Sequence, residues 1–284
     1  MNRRQLLQWA SLAAAAPVAA CRASAGPAAP GAVPALAAPT AGAGHGAHAL
    51  MAAPAGPPLQ IAMVAYPQMT ALDLVGPQLM LASLLGVEVH VVAASRDPVP
   101  TDTGLALVPT RTFAECPPEV DVLFVGGGAT GTVEAMRDPD LLDLVASRGA
   151  GARWVTSVCT GALVLGAAGL LRGYRATTHW VAREVLATVG ATAVDARVVT
   201  DRNRMTGAGV SAGLDLGLAL AIALRGEAYA RAVALNAEYA PAPPLDAGSP
   251  ASAGVDATSM LQAMYAPLVA EMTSAAQAAS VRWG

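Results

Sequence analysis

Cys159 has the clearest chemical potential in this sequence. It follows an apolar run, Trp154–Val158, and Thr160 separates it from a small-residue segment that begins at Gly161. The run predicts a buried strand and the segment predicts a helix, so the thiol would stand on a sharp strand-to-helix turn, a nucleophile elbow. Because the free amides and the macrodipole of a helix N-terminus stabilise a thiolate, we expect a nucleophilic cysteine with a lowered pKa. A buried cysteine that only fills space fits the spacing equally well.

Asp73 is the candidate acid. It follows the first predicted strand and is flanked by apolar side chains, among them Leu72 and Leu74. Apolar neighbours desolvate a carboxyl group and raise its pKa, which favours a neutral proton donor. Since parallel strands bring the loops that follow them to one edge of the sheet, we expect Asp73 to lie near Cys159. The alternative is that Asp73 is the N-cap of a helix that begins near Leu74.

A glycine-rich segment, Gly126–Gly131, follows the third apolar run. We expect the backbone amides of Gly127 and Gly128 to approach a substrate and to stabilise developing negative charge. The glycine spacing also resembles a dinucleotide-binding fingerprint, but no acidic residue ends a following strand about 20 residues later, where a ribose site needs one. A dinucleotide cofactor is therefore not predicted.

The elements that would hold these residues alternate between apolar runs and amphipathic segments. Buried strands are predicted at Ile61–Tyr66, Glu88–Ala94, Val120–Val125 and Trp154–Val158. Helices are predicted at Leu72–Leu85, Leu141–Arg148, Gly161–Leu171, His179–Val189 and Ser211–Arg225. A hairpin or edge strand is expected within Gly104–Thr112, and a turn at Asp201–Asn203 joins two short runs. This order predicts an α/β fold, a doubly wound, mostly parallel sheet with helices on both faces.

Composition and charge exclude several classes of function. The chain has 284 residues, of which 54% are hydrophobic and 13% are charged, a globular composition. All 17 basic residues are arginine, which excludes a lysine Schiff base, a pyridoxal phosphate anchor and a phosphate-loop lysine. The net charge is −3 and no cluster of arginines is present, so nucleic acid is not an expected partner.

The first 21 residues are expected to be a targeting segment. Arg3 and Arg4 precede an apolar stretch, Leu6–Ala20, that is too short to span a bilayer. The arginine pair resembles a twin-arginine export signal, and Val18–Cys21 resembles a lipobox in which Cys21 receives the lipid. These signals predict an exported protein, either periplasmic or anchored to the membrane by lipid at Cys21 and facing the periplasm. An arginine pair before an alanine-rich stretch in a composition-biased chain is the alternative.

Three further regions follow the targeting segment. Residues 22–58 are rich in alanine, glycine and proline without periodicity, which predicts a disordered tether. Residues 59–240 form the predicted α/β domain, and residues 241–284 form a proline-interrupted extension with one amphipathic helix, Met260–Ala275. His45 and His48 lie in the tether without a neighbouring cysteine or carboxylate, so no metal site is predicted.

Several motifs together resemble the ThiJ/PfpI superfamily, which is class I glutamine amidotransferase-like, and within it the isonitrile hydratase branch. These motifs are Leu72–Pro77, Val125–Gly128, Val158–Leu171, Ala176–Trp180 and Thr206–Asp215. The resemblance covers Ile61 to about Pro250, and the block around Cys159 is its most specific part.

The resemblance implies a flavodoxin-like fold, usually dimeric. It also implies hydration of an isonitrile to an N-substituted formamide, with a small molecule as substrate and with neither a metal nor an organic cofactor. Cys159 would be the nucleophile, and Asp73 would act as acid and then as base.

The same resemblance implies roles for three further residues. Thr160 would orient the substrate or water through its hydroxyl and place its amide near the thiolate. Gly127 and Gly128 would line the pocket. His179 is the one histidine near the Cys159 motif in the sequence and is a possible orienting group, but a structural core histidine at a helix start is the favoured alternative. Many relatives have a histidine at the position of Thr160, so protease chemistry through a Cys–His pair is disfavoured here.

Two other functions remain open from the sequence. The first is an exported protein that detoxifies reactive carbonyl compounds or responds to oxidation of Cys159. The second is a non-catalytic ligand-binding module related to the sensing domain of AraC-type regulators. A regulator itself is not expected, because Arg282 is the one basic residue after Tyr239 and no DNA-binding domain is predicted there.

Overall fold

The computed structural model describes residues 55–283. Cys21, the targeting segment and most of the tether lie outside these residues. The strands are β1 (Leu59–Val64), β2 (Val87–Ala93), β3 (Val99–Pro100), β4 (Ala106–Leu107), β5 (Arg111–Thr112), β6 (Val122–Val125), β7 (Trp154–Val158), β8 (Arg175–Ala176), β9 (Thr192–Ala193), β10 (Val198–Asp201) and β11 (Arg204–Gly207). The helices are α1 (Ala71–Ala82), α2 (Ala129–Arg137), α3 (Pro139–Gly151), α4 (Gly161–Ala167), α5 (Ala212–Arg225), α6 (Glu227–Asn236), α7 (Pro250–Ala253) and α8 (Val255–Ser280), with 3₁₀ helices at Trp180–Val189 and Val281–Trp283.

The central sheet has the order β10-β11-β7-β6-β1-β2-β5 and is parallel except for β10, which pairs antiparallel with β11. This confirms the predicted doubly wound α/β fold. In the register, Val64 pairs with Val125, Val125 with Ser157, and Ser157 with Thr206. The carboxyl ends of β1, β6, β7 and β11 are therefore level, and the loops that carry the candidate residues meet at one edge.

The segment Gly104–Thr112 contains both of the alternatives predicted for it. Ala106–Leu107 forms a hairpin with Val99–Pro100, and Arg111–Thr112 joins the edge of the main sheet in parallel with β2. The predicted turn Asp201–Asn203 also forms, with Arg202 in the left-handed region at φ 52°.

Four helix predictions differ from the structure. Helix α8 runs from Val255 to Ser280, five residues longer at each end than the predicted Met260–Ala275. Helix α1 begins at Ala71 with Thr70 at the N-cap position, so Asp73 lies in its first turn and the N-cap alternative for Asp73 is wrong. Helix α4 ends at Ala167 rather than Leu171, because Gly169 adopts a positive φ of 79° there. The segment Trp180–Val189 is a 3₁₀ helix.

The C-terminal helix packs onto the domain. Helix α8 contacts the 3₁₀ helix Trp180–Val189, α2 and α4. It buries Met272, Ala275, Ala276 and Ala279 in the core. Within residues 55–283, no helix combines the length and the apolar character that crossing a bilayer requires.

Candidate active site

Cys159 stands on a strained turn between β7 and α4. Its φ is 54°, in the left-handed region that costs a non-glycine residue about 1 kcal/mol or more. Two backbone contacts hold this conformation: the Cys159 N–H donates to the Gly207 carbonyl at 3.1 Å, and the Thr178 hydroxyl donates to the Cys159 carbonyl at 2.7 Å. The residue is 6% exposed. The predicted elbow is present, and Cys159 is almost completely buried on it.

Gly161 lets helix α4 approach the end of β6. A Cβ at this position would lie 2.2 Å from the Val125 carbonyl oxygen and 2.7 Å from the Gly126 backbone. Backbone atoms this close cannot give way cheaply, so α4 would have to move.

We therefore expect Gly161→Ala to lower the free energy of unfolding by about 2 kcal/mol or more in urea denaturation. Gly151→Ala is the matched control, because a Cβ at Gly151 meets no atom within 4 Å. An equal stability of the two variants would contradict this reading of the elbow.

The carboxyl group of Asp73 is fully buried beside the thiol. Its Oδ2 accepts the Gly127 N–H at 2.8 Å, whereas Oδ1 is buried without a partner that meets hydrogen-bond geometry among the described residues. The Cys159 side chain interacts directly with this carboxyl. Burial raises the pKa of Asp73 to about 7, although the Gly127 amide and the Cys159 thiol oppose the shift. Asp73 is thus a carboxylic acid that retains a proton near neutral pH, as the apolar flanks predict.

The pKa of the Cys159 thiol lies well above its usual value, so the expectation of a lowered pKa is wrong. Burial is the largest cause and the charge of Asp73 is the next, while the amide and hydroxyl of Thr160 lower the pKa by less. The N-terminus of α4 stabilises a thiolate, but this effect is smaller than the combined effect of desolvation and of the negative charge of Asp73. Since the charge of Asp73 raises the pKa of Cys159 whereas the Cys159 thiol lowers that of Asp73, the two groups titrate as a pair, and between their two pKa values the pair holds one proton.

The raised pKa of Asp73 predicts a pH-dependent stability. An aspartate in the unfolded chain releases its proton at about pH 4, whereas Asp73 in the folded protein keeps its proton up to about pH 7. Between these values the folded state binds more protons than the unfolded state, so stability falls as the pH rises. Relative to Asp73→Asn, the parent should lose about 3 kcal/mol of unfolding free energy between about pH 5 and about pH 8. Urea denaturation at both pH values measures this, and an unchanged difference would contradict the raised pKa.

The amides of Gly127 and Gly128 are already engaged within the protein. The Gly127 N–H binds Asp73, and the Gly128 N–H lies 3.0 Å from the Thr132 hydroxyl and 3.1 Å from the Thr160 hydroxyl. The expectation that these amides stabilise charge on a substrate is therefore wrong for the geometry seen here. Their role is structural: a Cβ on Gly127 would lie 2.5 Å from the Thr160 nitrogen.

Thr160 belongs to a buried network that includes residues the sequence did not single out. Its hydroxyl lies 2.6 Å from that of Thr132, and the Tyr66 hydroxyl donates to the Gly126 carbonyl at 2.7 Å. The Thr160 amide contacts the Cys159 sulfur, as the resemblance implies, but its hydroxyl is shared with Thr132 and Gly128. Burial and the nearby charges of Asp73 and Cys159 raise the pKa of Tyr66. The one sequence signal for Tyr66 is its position at the end of the first apolar run.

Among the described residues, His179 makes no hydrogen bond to Cys159, although the adjacent Thr178 donates to the Cys159 carbonyl. It lines a cavity of about 720 Å³, and its ring centroid is 6.0 Å from that of Trp180 and 6.3 Å from that of Tyr265. Burial, assisted by the charge of Arg183, lowers the pKa of His179, so the ring is neutral at pH 7. Among residues 55–283, no group of three or more histidine, cysteine, aspartate or glutamate side chains is placed to hold a metal.

Comparisons with known proteins identify the family of this chain. Residues 59–223 match the sequence model of the DJ-1/PfpI family. The chain belongs to the DJ-1/PfpI family. This confirms the resemblance found in the motifs.

Individual relatives of this DJ-1/PfpI chain support the same assignment. The chain is 53% identical over 195 residues to an isonitrile hydratase from Pseudomonas putida, covering 69% of this chain and 85% of the relative. A crystal structure of a ThiJ/PfpI family protein from Pseudomonas syringae has 46% identity and a TM-score of 0.78, covering 86% of this chain and 98% of the other. A cysteine-to-alanine mutant of a DJ-1 superfamily protein from Salmonella typhimurium has 26% identity and a TM-score of 0.57, covering 64% of this chain and all of the other.

Proposed function

We propose that this protein is a cysteine-dependent isonitrile hydratase, a hydro-lyase that adds water to an isonitrile and releases an N-substituted formamide. The observation that carries the proposal is the buried pair of Cys159 and Asp73, which holds one proton near neutral pH. An isonitrile carbon must receive both a nucleophile and a proton, and this pair supplies the two together. The similarity to the hydratase from Pseudomonas putida supports the choice of substrate.

The first step forms a covalent intermediate. Within the one-proton pair the Cys159 thiol first passes its proton to the Asp73 carboxylate. The resulting thiolate attacks the terminal isonitrile carbon with its electron pair, while the Asp73 carboxylic acid transfers that proton to the same carbon. A carbon–sulfur bond and a carbon–hydrogen bond form, and the product is a thioimidate on Cys159 beside an ionised Asp73. The Thr160 amide and hydroxyl interact with the sulfur and favour its thiolate form.

The second step consumes water. The Asp73 carboxylate takes a proton from water as the hydroxide adds to the thioimidate carbon, and that proton passes to the substrate nitrogen. Asp73 then removes the hydroxyl proton as the carbonyl forms and the carbon–sulfur bond breaks. The formamide leaves, and the pair returns to a thiolate beside a carboxylic acid, with one water molecule consumed.

The burial of Cys159 argues against a primary role in redox sensing. Oxidation of cysteine follows thiolate character and exposure, and this thiol is 6% exposed with a raised pKa. The same properties slow uncatalysed reactions with bulky oxidants while leaving the thiol available to a small, linear electrophile.

A product assay separates the proposal from its alternatives. The purified, reduced protein is incubated with cyclohexyl isocyanide, and N-cyclohexylformamide is followed by chromatography; parallel reactions contain methylglyoxal. We expect the formamide to accumulate and methylglyoxal to persist. Consumption of methylglyoxal without formation of the formamide would favour the carbonyl-detoxifying alternative, and saturable binding without turnover would favour a ligand-binding module.

We further propose that the protein is exported through its arginine pair and anchored by lipid at Cys21, so that it faces the periplasm. The support is the order of the two sequence signals. In a bacterial host, replacing Arg3 and Arg4 with lysine should retain the protein in the cytoplasm. Cys21→Ser should release the exported protein from the membrane fraction. Export of the double lysine variant at the parent level would contradict the first part, and membrane retention of Cys21→Ser would contradict the second.

A homodimer is also proposed. Helix α1 presents three apolar side chains, Leu72, Val75 and Leu79, that are 45%, 43% and 48% exposed. Because they lie three and four residues apart, they share one face of the helix, and a second copy would remove this face from water. Light scattering coupled to size-exclusion chromatography measures the mass in solution. We expect twice the chain mass, and Val75→Glu should reduce it; a monomeric parent would contradict the proposal.

A further inference from the structure

A cavity of about 720 Å³ is lined by sequence neighbours of the residues that form and hold the Cys159–Asp73 pair. Three chain segments connect the pair to this cavity. Leu72 lines the cavity and precedes Asp73, and His179 lines it and follows Thr178, whose hydroxyl binds the Cys159 carbonyl. Gly209 lines it two residues after Gly207, which accepts the Cys159 N–H. The walls of the cavity are thus continuous with the backbone that holds the thiol.

The charged groups at the cavity are paired with each other. Arg183 lies 2.8 Å from Asp195, and Arg197 forms an ion pair with Asp215. Asp215 also accepts a hydrogen bond from Tyr239 at 2.9 Å. Because both guanidinium groups already face carboxylates, the cavity offers no unpaired arginine charge to an anionic ligand.

The other side chains of the cavity are suited to a neutral, apolar group. Leu72, Trp180, Val210 and Pro250 contribute apolar surface. The volume falls within the range of pockets that hold small organic molecules. A ring or branched alkyl group fits this combination of volume and surface.

One wall of the cavity comes from outside the family match. Residues Gly248–Ala251 line the cavity, whereas the match to the DJ-1/PfpI family ends at residue 223. The Ser249 hydroxyl accepts the Ser252 N–H at 3.2 Å and fixes the start of α7 at this wall. The C-terminal extension therefore shapes the same cavity as Leu72, His179 and Gly209.

We propose that this cavity binds the N-substituent of the isonitrile, and that the C-terminal extension limits the size of substituent the enzyme accepts. This inference rests on the proposed function. An isonitrile is linear through its carbon and nitrogen, so a substrate whose carbon meets Cys159 directs its substituent along one line away from the sulfur. The cavity provides apolar space, walled by the chain segments that hold the pair, for that group.

Three glycine-to-leucine variants test the assignment. A Cβ at Gly209 would meet only His179, at 3.6 Å, and a Cβ at Gly248 would meet no atom within 4 Å, so leucine fits at both positions on the cavity wall. Gly151→Leu is the matched control, because Gly151 has equal space at the end of α3, away from the cavity. Each variant is assayed with cyclohexyl isocyanide and ethyl isocyanide, and kcat and KM are determined separately.

We expect kcat/KM for cyclohexyl isocyanide, relative to ethyl isocyanide, to fall about tenfold in Gly209→Leu and Gly248→Leu, mainly through KM. The ratio should be unchanged in Gly151→Leu. A fall in one cavity variant alone supports the inference and assigns the substituent to that wall. Unchanged ratios in both, or an equal fall in Gly151→Leu, would overturn it while leaving the hydratase function intact. No turnover of either isonitrile by the parent would overturn both.

Discussion

Replacement of Cys159 by alanine should abolish isonitrile hydration, with kcat/KM falling about 10⁴-fold or more. Without the sulfur no thioimidate can form, and water would have to attack the isonitrile directly beside Asp73. The backbone turn should survive, because the contacts that hold it, from Gly207 and Thr178, use the main chain of residue 159. The rate of formamide production, with the melting temperature as a check on folding, measures the effect.

Cys116 provides the control for this variant. It is the other free cysteine among the described residues and is also buried, but it lies in the loop before β6 and its carbonyl accepts a hydrogen bond from Arg148. Cys116→Ala should retain the parent rate. Loss of activity in Cys116→Ala, or a Cys159→Ala variant that remains active, would refute the assignment of the nucleophile.

Asp73→Asn should produce the second largest loss, about 10²- to 10⁴-fold in kcat. The amide can still accept the Gly127 N–H, so the side chain keeps its place, but it can neither deliver a proton to the isonitrile carbon nor activate water. Both chemical steps lose their acid or base. The loss should appear in kcat rather than in KM, because the carboxyl acts on the reacting atoms.

Asp97→Asn is the control for the loss of a carboxylate. Asp97 is exposed and its carboxylate binds Ser95, away from the thiol. Its replacement should leave kcat unchanged. If Asp73→Asn retained the parent kcat, Asp73 would be a structural ligand of Gly127 and another group would have to be the acid.

The sequence predicted the fold well where periodicity was strong. Runs such as Val122–Val125 and Trp154–Val158 are wholly or largely buried and were found within two residues of their true limits. Helix α2 was not predicted, because Gly131 and its neighbours Gly128, Thr130 and Thr132 have low helix propensity and interrupt the apolar pattern at its start. The end of α4 was misplaced because Gly169 lies among residues that continue the apolar pattern.

The site was predicted in its residues but not in its electrostatics. Motif spacing located Cys159 and Asp73, and the structure brings them into contact. The sign of the thiol pKa shift was wrong, because position at a helix start is visible in a sequence whereas complete burial against a carboxylate is not. The bonds of Gly127 to Asp73 and of Thr160 to Thr132 join residues 54 and 28 positions apart, and such long-range pairs have no local signal.

The central claim is that Cys159 and Asp73 act as a pair that carries one proton, and the pH dependence of kcat/KM tests it most directly. Below about pH 7 the pair holds two protons and the sulfur is a thiol; above it one proton remains, until the raised pKa of the thiol is reached. After subtraction of the uncatalysed rate, we expect kcat/KM to rise about tenfold per pH unit up to about pH 7 and then to level off. Asp73→Asn should lack this rise. A parent profile that is flat between about pH 5 and about pH 8, or that declines as the pH rises through 7, would contradict the account.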